Sequence, residues 1–179
     1  MNSVPGGHRT IIDCATTSAA ASGLLYANNL YVANRTGYQL NERDVAIVVC
    51  LRHFATAFAF NDAIWGKYGG AIGAAVQFTD PRTRQAPTVN VLSATGYGAL
   101  LPNGGVTIAS VAKRGAQFAV CDMATRMITG QVATAMKADS QALYKEFVAN
   151  LIPNSHLAAA GVVAVNRAQE YGYTLLTAL

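Results

Sequence analysis

Three residues stand where a β-type run of the sequence ends and could carry sulfur or acid–base chemistry: Cys14, His53 and Cys121. Cys121 closes the run Ala116-Gln-Phe-Ala-Val-Cys121 and leads straight into Asp122-Met123-Ala124, where a helical pattern begins. The free N–H groups and positive dipole end of a helix stabilise a thiolate, the form that attacks sulfur or another electrophile. Asp122 works against this by bringing a carboxylate near. His53, in Arg52-His53-Phe54, is placed to act as a general base or proton shuttle near neutral pH. Cys14 ends Thr10-Ile-Ile-Asp-Cys14 and would be a resolving partner if it came within disulfide reach of Cys121. Against each of these stands the plain alternative of a packed residue, a strand-end cysteine filling a small apolar niche and a lone histidine capping or packing. For Cys50, inside the continuous apolar run Val45–Leu51, the buried reading is the expected one.

A second polar and aromatic set, Asn61, Asp62, Trp65 and Tyr68 with Lys67, crowds one short helical stretch. It reads either as a ligand pocket or as an amphipathic helix whose Trp65 packs while Asp62 and Lys67 face water or a neighbouring subunit. Metal chemistry has no support, since three cysteines are an odd number without CxxC spacing, and His8 and His156 fall at the opposite rim from His53. Gly96-Tyr97-Gly98 and Gly69-Gly70-Ala71-Ile72-Gly73 lack the strand, GxGxxG and helix context of a dinucleotide site, and neither a Walker motif nor GxSxG occurs, so no cofactor is expected. The formal charge of +4 is spread thinly, with Arg82/Arg84 and Lys113/Arg114 the close basic pairs, which excludes a nucleic-acid patch. Only 12% of residues are charged, against about 25% in ordinary soluble domains.

The elements that must position these residues alternate. A strand at 10–14 is followed by a helix at 19–33 closed by Gly37, a strand at Val45–Leu51 buried on both faces, and a helix at 55–68 ended by Gly69-Gly70. Residues 71–103 lose periodicity and gather Pro81, Pro87 and Pro102, an irregular excursion of the length that tends to be functional or an interface. Order returns with a helix at 106–115, a strand at 116–121, a helix from Asp122, a helix at 141–151 stopped by Pro153, a strand at 155–159, a helix at 162–170 and a last strand at 171–175. This predicts one α/β domain over residues 1–179, a three-layer sandwich around a mostly parallel, five-stranded, flavodoxin-like sheet. Chemistry in such sheets collects at the carboxyl ends of the strands, which sets Cys14, His53 and Cys121 on one rim. The two long charge-free stretches, 14–34 and 85–112, are broken by Asn, Ser, Thr, Gly or Pro and do not read as membrane spans. The first seven residues lack a signal-peptide pattern, so a leader is either removed or absent and both periplasm and cytoplasm stay open.

The segment Gly105-Val-Thr-Ile-Ala-Ser-Val-Ala-Lys-Arg-Gly-Ala-Gln-Phe-Ala-Val-Cys121-Asp-Met-Ala resembles the helix, Lys/Arg-Gly turn and Cys-ended strand of DsrE/DsrF-like sulfur-relay proteins. The tail, from Phe147-Val-Ala-Asn-Leu-Ile-Pro153 through Gly161-Val-Val-Ala-Val-Asn-Arg-Ala-Gln-Glu-Tyr-Gly-Tyr173, is similar to that family's closing section. The resemblance implies a DsrE-like α/β sandwich assembled from identical subunits as a trimer, hexamer or larger form. It also implies a persulfide on Cys121, exchanged with a sulfur donor or acceptor protein. Two features depart from the family: the excursion at 71–103 is long, and residues 51–68 look like a mark of uncharacterised relatives that often carry an export leader. The expected function is therefore sulfur handling, with Cys121 as acceptor, His53 as proton shuttle and Cys14 as second thiol. Two alternatives remain: a non-catalytic homo-oligomer, or a small-ligand module built on Asn61, Asp62, Trp65, Tyr68 and the loop.

Overall fold

The computed structural model describes residues 4–179, and its core is a sheet of five parallel strands in the order β4-β3-β2-β1-β5. The strands are β1 (His8–Cys14), β2 (Val45–Leu51), β3 (Gln117–Cys121), β4 (Ser155–Ala158) and β5 (Thr174–Thr177). The central strand β2 is buried along its whole length, as its unbroken apolar run requires. Alternate residues divide between two cores. Val45, Ile47, Val49 and Leu51 join the larger one, while Ala46, Val48 and Cys50 join the smaller.

The larger core is closed by α1 (Thr17–Tyr38), α2 (Asp62–Ala75), α3 (Ile108–Lys113), α4 (Asp122–Met136) and α5 (Ser140–Ala149). The smaller is covered by α6 (Gly161–Glu170), whose Ala164 and Ala168 rest on the sheet. Helices thus lie on both faces of a parallel sheet, the α/β sandwich the alternation predicts. Helix α1 starts where the Thr16 hydroxyl accepts the Ala19 N–H at 3.0 Å, and it comes close to β1 because residue 23 is glycine. A Cβ there would stand 2.5 Å from Cys14 Sγ.

Three expectations are corrected. The stretch at 55–68 is two elements: a 3-10 helix, His53–Ala59, and then α2, which begins at the Asn61 cap and runs through Gly69-Gly70 to Ala75. Those glycines do not stop the helix; Gly69 lets the following loop pass, since a Cβ there would sit 1.7 Å from the Pro87 carbonyl oxygen. The excursion, irregular from 76 to 107, is packed rather than peripheral. Val91, Leu92 and Tyr97 join the larger core, and the Asn90 amide donates to the Phe58 and Phe60 carbonyls at 2.8 and 2.9 Å. The Tyr97 hydroxyl donates to buried Asp80 at 2.8 Å. Finally, the last strand is Thr174–Thr177, because Gly172 turns at φ 79° and Tyr173 is spent covering the smaller core. No helix of the described residues is long and apolar enough to cross a membrane.

Candidate functional site

Strand β3 delivers Cys121 to the carboxyl edge of the sheet, where the same residue becomes the N-cap of α4. Its Sγ accepts the Ala124 N–H at 3.4 Å, the place usually taken by a Ser, Thr or Asp oxygen. The Thr125 hydroxyl donates to the Cys121 carbonyl at 3.0 Å and fixes the turn. The residue is 7% exposed and lines a cavity of about 350 Å³ together with Arg52, His53, Met123, Met127 and the start of α6 at Gly161 and Val162. Asp122 does not bring a free carboxylate to this cavity. It accepts the Tyr144 hydroxyl at 2.5 Å and the Arg126 guanidinium at 2.8 Å; burial alone would raise its pKa, but these two partners hold its carboxyl below the usual range.

His53 follows β2 by two residues and takes a left-handed backbone, φ 52°. Histidine adopts that region more readily than most residues, at a cost of about 1–3 kcal/mol that the surrounding fold must offset. Its ring stacks on Phe54 with centroids 4.1 Å apart, and it shares the cavity with Cys121. Arg52 lines the same cavity, locked to Asp13 by a two-pronged ion pair, Nε to Oδ1 at 2.6 Å and Nη2 to Oδ2 at 2.8 Å. The hydrogen bond to Asp13 keeps the guanidinium even more firmly protonated than an ordinary arginine. Its stem lies flat on α6: a Cβ at Gly161 would stand 2.3 Å from Arg52 Cβ. Asp13, Arg52 and Gly161 are site residues that the one-dimensional pattern missed. The available signal was the position of Asp13 and Arg52 at matching ends of two strands.

Cys14 is not brought to this cavity. It lies on the α1 side of the sheet, fully buried, and its thiol is pushed well above the ordinary range, chiefly by burial. Val120 faces that same core, so Cys121, the next residue along the strand, turns the other way. Strand β2 also separates the two, placing their Cα atoms about 9–10 Å apart or more, beyond the roughly 7 Å limit for a disulfide. Cys50 is buried on the α6 side, donates to the Gly161 carbonyl at 3.5 Å and has its thiol pushed up to about 12 by burial.

The second candidate set is occupied within the fold. Asn61 caps α2 by accepting the Ala63 N–H at 3.0 Å, and its amide donates to Asn150 Oδ1 at 3.2 Å. Asp62 accepts the Asn90 N–H at 2.7 Å. Trp65 is fully buried against Phe58, and the Tyr68 hydroxyl donates to Glu146 at 2.7 Å, tying α2 to α5. These four side chains hold the excursion and α5 to the body of the sandwich. Among the described residues no group of three or more His, Cys, Asp or Glu side chains is arranged to hold a metal ion.

No family model matches the chain, and no curated protein matches it. Among solved structures, a protein of unknown function from Methanobacterium thermoautotrophicum aligns over 95% of this chain and 98% of its own, at 14% identity and a TM-score of 0.46.

Proposed function

We propose that the chain is a DsrE-like sulfur-handling protein that carries sulfur as a persulfide on Cys121. One observation supports this most: the Cys121 sulfur receives an N–H from the first turn of α4 while facing a cavity that also holds His53 and Arg52. A helix-capped sulfur is held as an acceptor of hydrogen bonds, the role a thiolate fills. In the transfer step, His53 takes the thiol proton and the Cys121 thiolate attacks the outer sulfur of a donor persulfide. The new S–S bond forms on Cys121, the donor's S–S bond breaks, and the donor leaves as a thiolate that can take the proton from His53. Electrons balance without an external oxidant. Delivery to an acceptor thiolate repeats the exchange in the opposite sense. Arg52, neutralised by Asp13, is a fixed wall of the cavity rather than a free counter-charge. The partners of this reading are donor and acceptor proteins and identical subunits, the latter consistent with a charged fraction of 12%.

The test is anaerobic incubation with inorganic polysulfide followed by intact mass measurement. The expected result is a gain of one sulfur atom that persists in Cys14→Ala and disappears in Cys121→Ser. A wild-type protein that gains no mass, or a Cys121→Ser variant that still gains it, overturns the reading.

A further inference from the structure

Strand β5 ends the sheet, and its far side is open. The Ala178 N–H donates to the Asp13 carbonyl at 3.0 Å, so the backbone groups of 174, 176 and 178 turn toward β1 and those of Leu175 and Thr177 turn away from it. Among the described residues no strand pairs with that outward row. Its side chains are also uncovered on both faces: Leu175, beside Ile11 on the α6 side, is 44% exposed, and Leu176, beside Ile12 on the α1 side, is 37% exposed.

An open edge is a template for another strand, and soluble proteins usually protect it with a charge, a proline, a bulge or a very short strand. Strand β5 is short, at four residues, but carries none of the other three. From 171 to 179 the sequence is Tyr-Gly-Tyr-Thr-Leu-Leu-Thr-Ala-Leu, without a charged residue or a proline. We infer that the outer edge of β5 is a self-association edge, which a second copy of this chain covers by antiparallel β5–β5 pairing about a two-fold axis through Leu176.

The occupant and register follow from the strand itself. A two-fold axis sets the central residue opposite its own copy, so a charged residue there would face a like charge; Leu176 faces an identical leucine instead. The outward groups of Leu175 then meet those of the partner's Thr177, and the outward groups of Thr177 meet the partner's Leu175, giving four backbone hydrogen bonds. Thr174 lies opposite the partner's Ala178, so the whole strand is used. The two leucines form a non-hydrogen-bonded pair, in which Cα atoms approach to about 4.5 Å. One sheet then runs through both subunits, and the exposed faces of Leu175 and Leu176 are covered. This inference rests on the proposal that identical subunits are partners and is independent of the chemistry at Cys121.

The test uses the whole chain. Light scattering on the wild type is expected to give an even multiple of the chain mass, and Leu176→Lys, which opposes two ammonium groups across the axis, is expected to halve it. Because that variant could fail to fold, the register is tested separately by cysteine scanning in a Cys121→Ser background under mild oxidation. Leu176→Cys is expected to form an intermolecular disulfide with its own copy at least tenfold faster than Leu175→Cys, since residue 176 faces its own copy directly whereas residue 175 lies diagonal to its copy, two positions out of register. A monomeric wild type overturns both the edge pairing and the identical-subunit reading. An oligomeric wild type in which the two cysteine variants cross-link alike, or in which a folded Leu176→Lys keeps the wild-type mass, overturns the edge pairing alone.

Discussion

The contact between Gly23 and Cys14 decides what Cys14 is for. Replacing Gly23 by alanine adds one Cβ that meets Cys14 Sγ at 2.5 Å, while its next neighbours, Ile12 Cγ2 at 3.5 Å and Val49 Cγ1 at 3.7 Å, are at ordinary contact distance. The clash is therefore with a single atom on a fully buried side chain. Overpacking of this kind costs about 1–3 kcal/mol, offset by about 1 kcal/mol because alanine is the better helix former in the interior of α1. Cys14→Ala alone removes one buried heavy atom, a loss of about 1 kcal/mol. In the double variant the new Cβ takes the space that Sγ leaves, so the overpacking disappears and the helix gain remains. The double variant should come within about 1 kcal/mol of wild type, with a favourable coupling of about 1–3 kcal/mol between the sites. Urea unfolding followed by circular dichroism in reducing buffer, with equal denaturant slopes for all four proteins, measures it. If the two losses simply add, to within about 0.5 kcal/mol, Cys14 does not pack under Gly23 and the assignment of this thiol to the α1 interface is wrong.

Asn90→Ala takes the donors away from the Phe58 and Phe60 carbonyls, and at about 1–3 kcal/mol for each buried acceptor left unpaired the loss should total about 2–6 kcal/mol. Limited proteolysis of that variant should cut first between 76 and 107; cleavage elsewhere would mean that Asn90 does not anchor this segment. Acid should also destabilise the protein. Asp80 and Glu146 are held below the ordinary carboxylate range, Asp80 against its burial by Tyr97 and the Arg82 and Thr83 N–H groups, Glu146 by Lys67 and then Tyr68. A depressed folded-state value means stability that is complete above the unfolded carboxylate pKa of about 4 and is lost as pH falls through the folded value. Urea midpoints should drop between about pH 5 and pH 3, and Asp80→Asn should flatten part of that fall; a midpoint that rises on acidification contradicts the pairing.

How much of this was readable along the chain depends on whether a feature is local. The run Val45–Leu51 announces a strand with neighbours on both faces, and the structure uses it so, all seven residues buried. Asp122 after a β-type run announces a helix start, and α4 begins there. What the pattern could not supply was the side on which a strand-end residue emerges. Ile11 and Ile12 are both apolar and both buried, so β1 shows no alternation from which to decide where Cys14 points, and the answer came only from packing: Ile12 and Cys14 belong to the larger core, Ile11 to the smaller. Gly69-Gly70 misled for the opposite reason. A glycine pair reads as a helix stop on local propensity, but here Gly69 is required by a carbonyl arriving from Pro87, eighteen positions away, which no local window contains.

The same long-range logic bears on the low charge. A chain with 16 glycines and 33 alanines can bring its elements unusually close, and several of the closest approaches fall where a side chain or carbonyl crosses a glycine, among them Cys14 over Gly23, the Pro87 carbonyl over Gly69 and the Arg52 stem over Gly161. Only the last of these touches the cavity that holds Cys121. Gly161 opens α6, and a Cβ there would force either the Arg52 backbone or the helix to move, because Arg52 Cβ is bonded directly to the main chain and has no rotamer to escape into. Gly161→Ala should therefore disturb the Arg52–Asp13 pair and the wall of the cavity while leaving the Cys121 cap on α4 intact. Polysulfide loading of Cys121 combined with unfolding measurements separates the two effects. A stability loss of about 1–3 kcal/mol with altered loading rate is expected, and a variant as stable as wild type would show that α6 does not rest on Arg52 in this way.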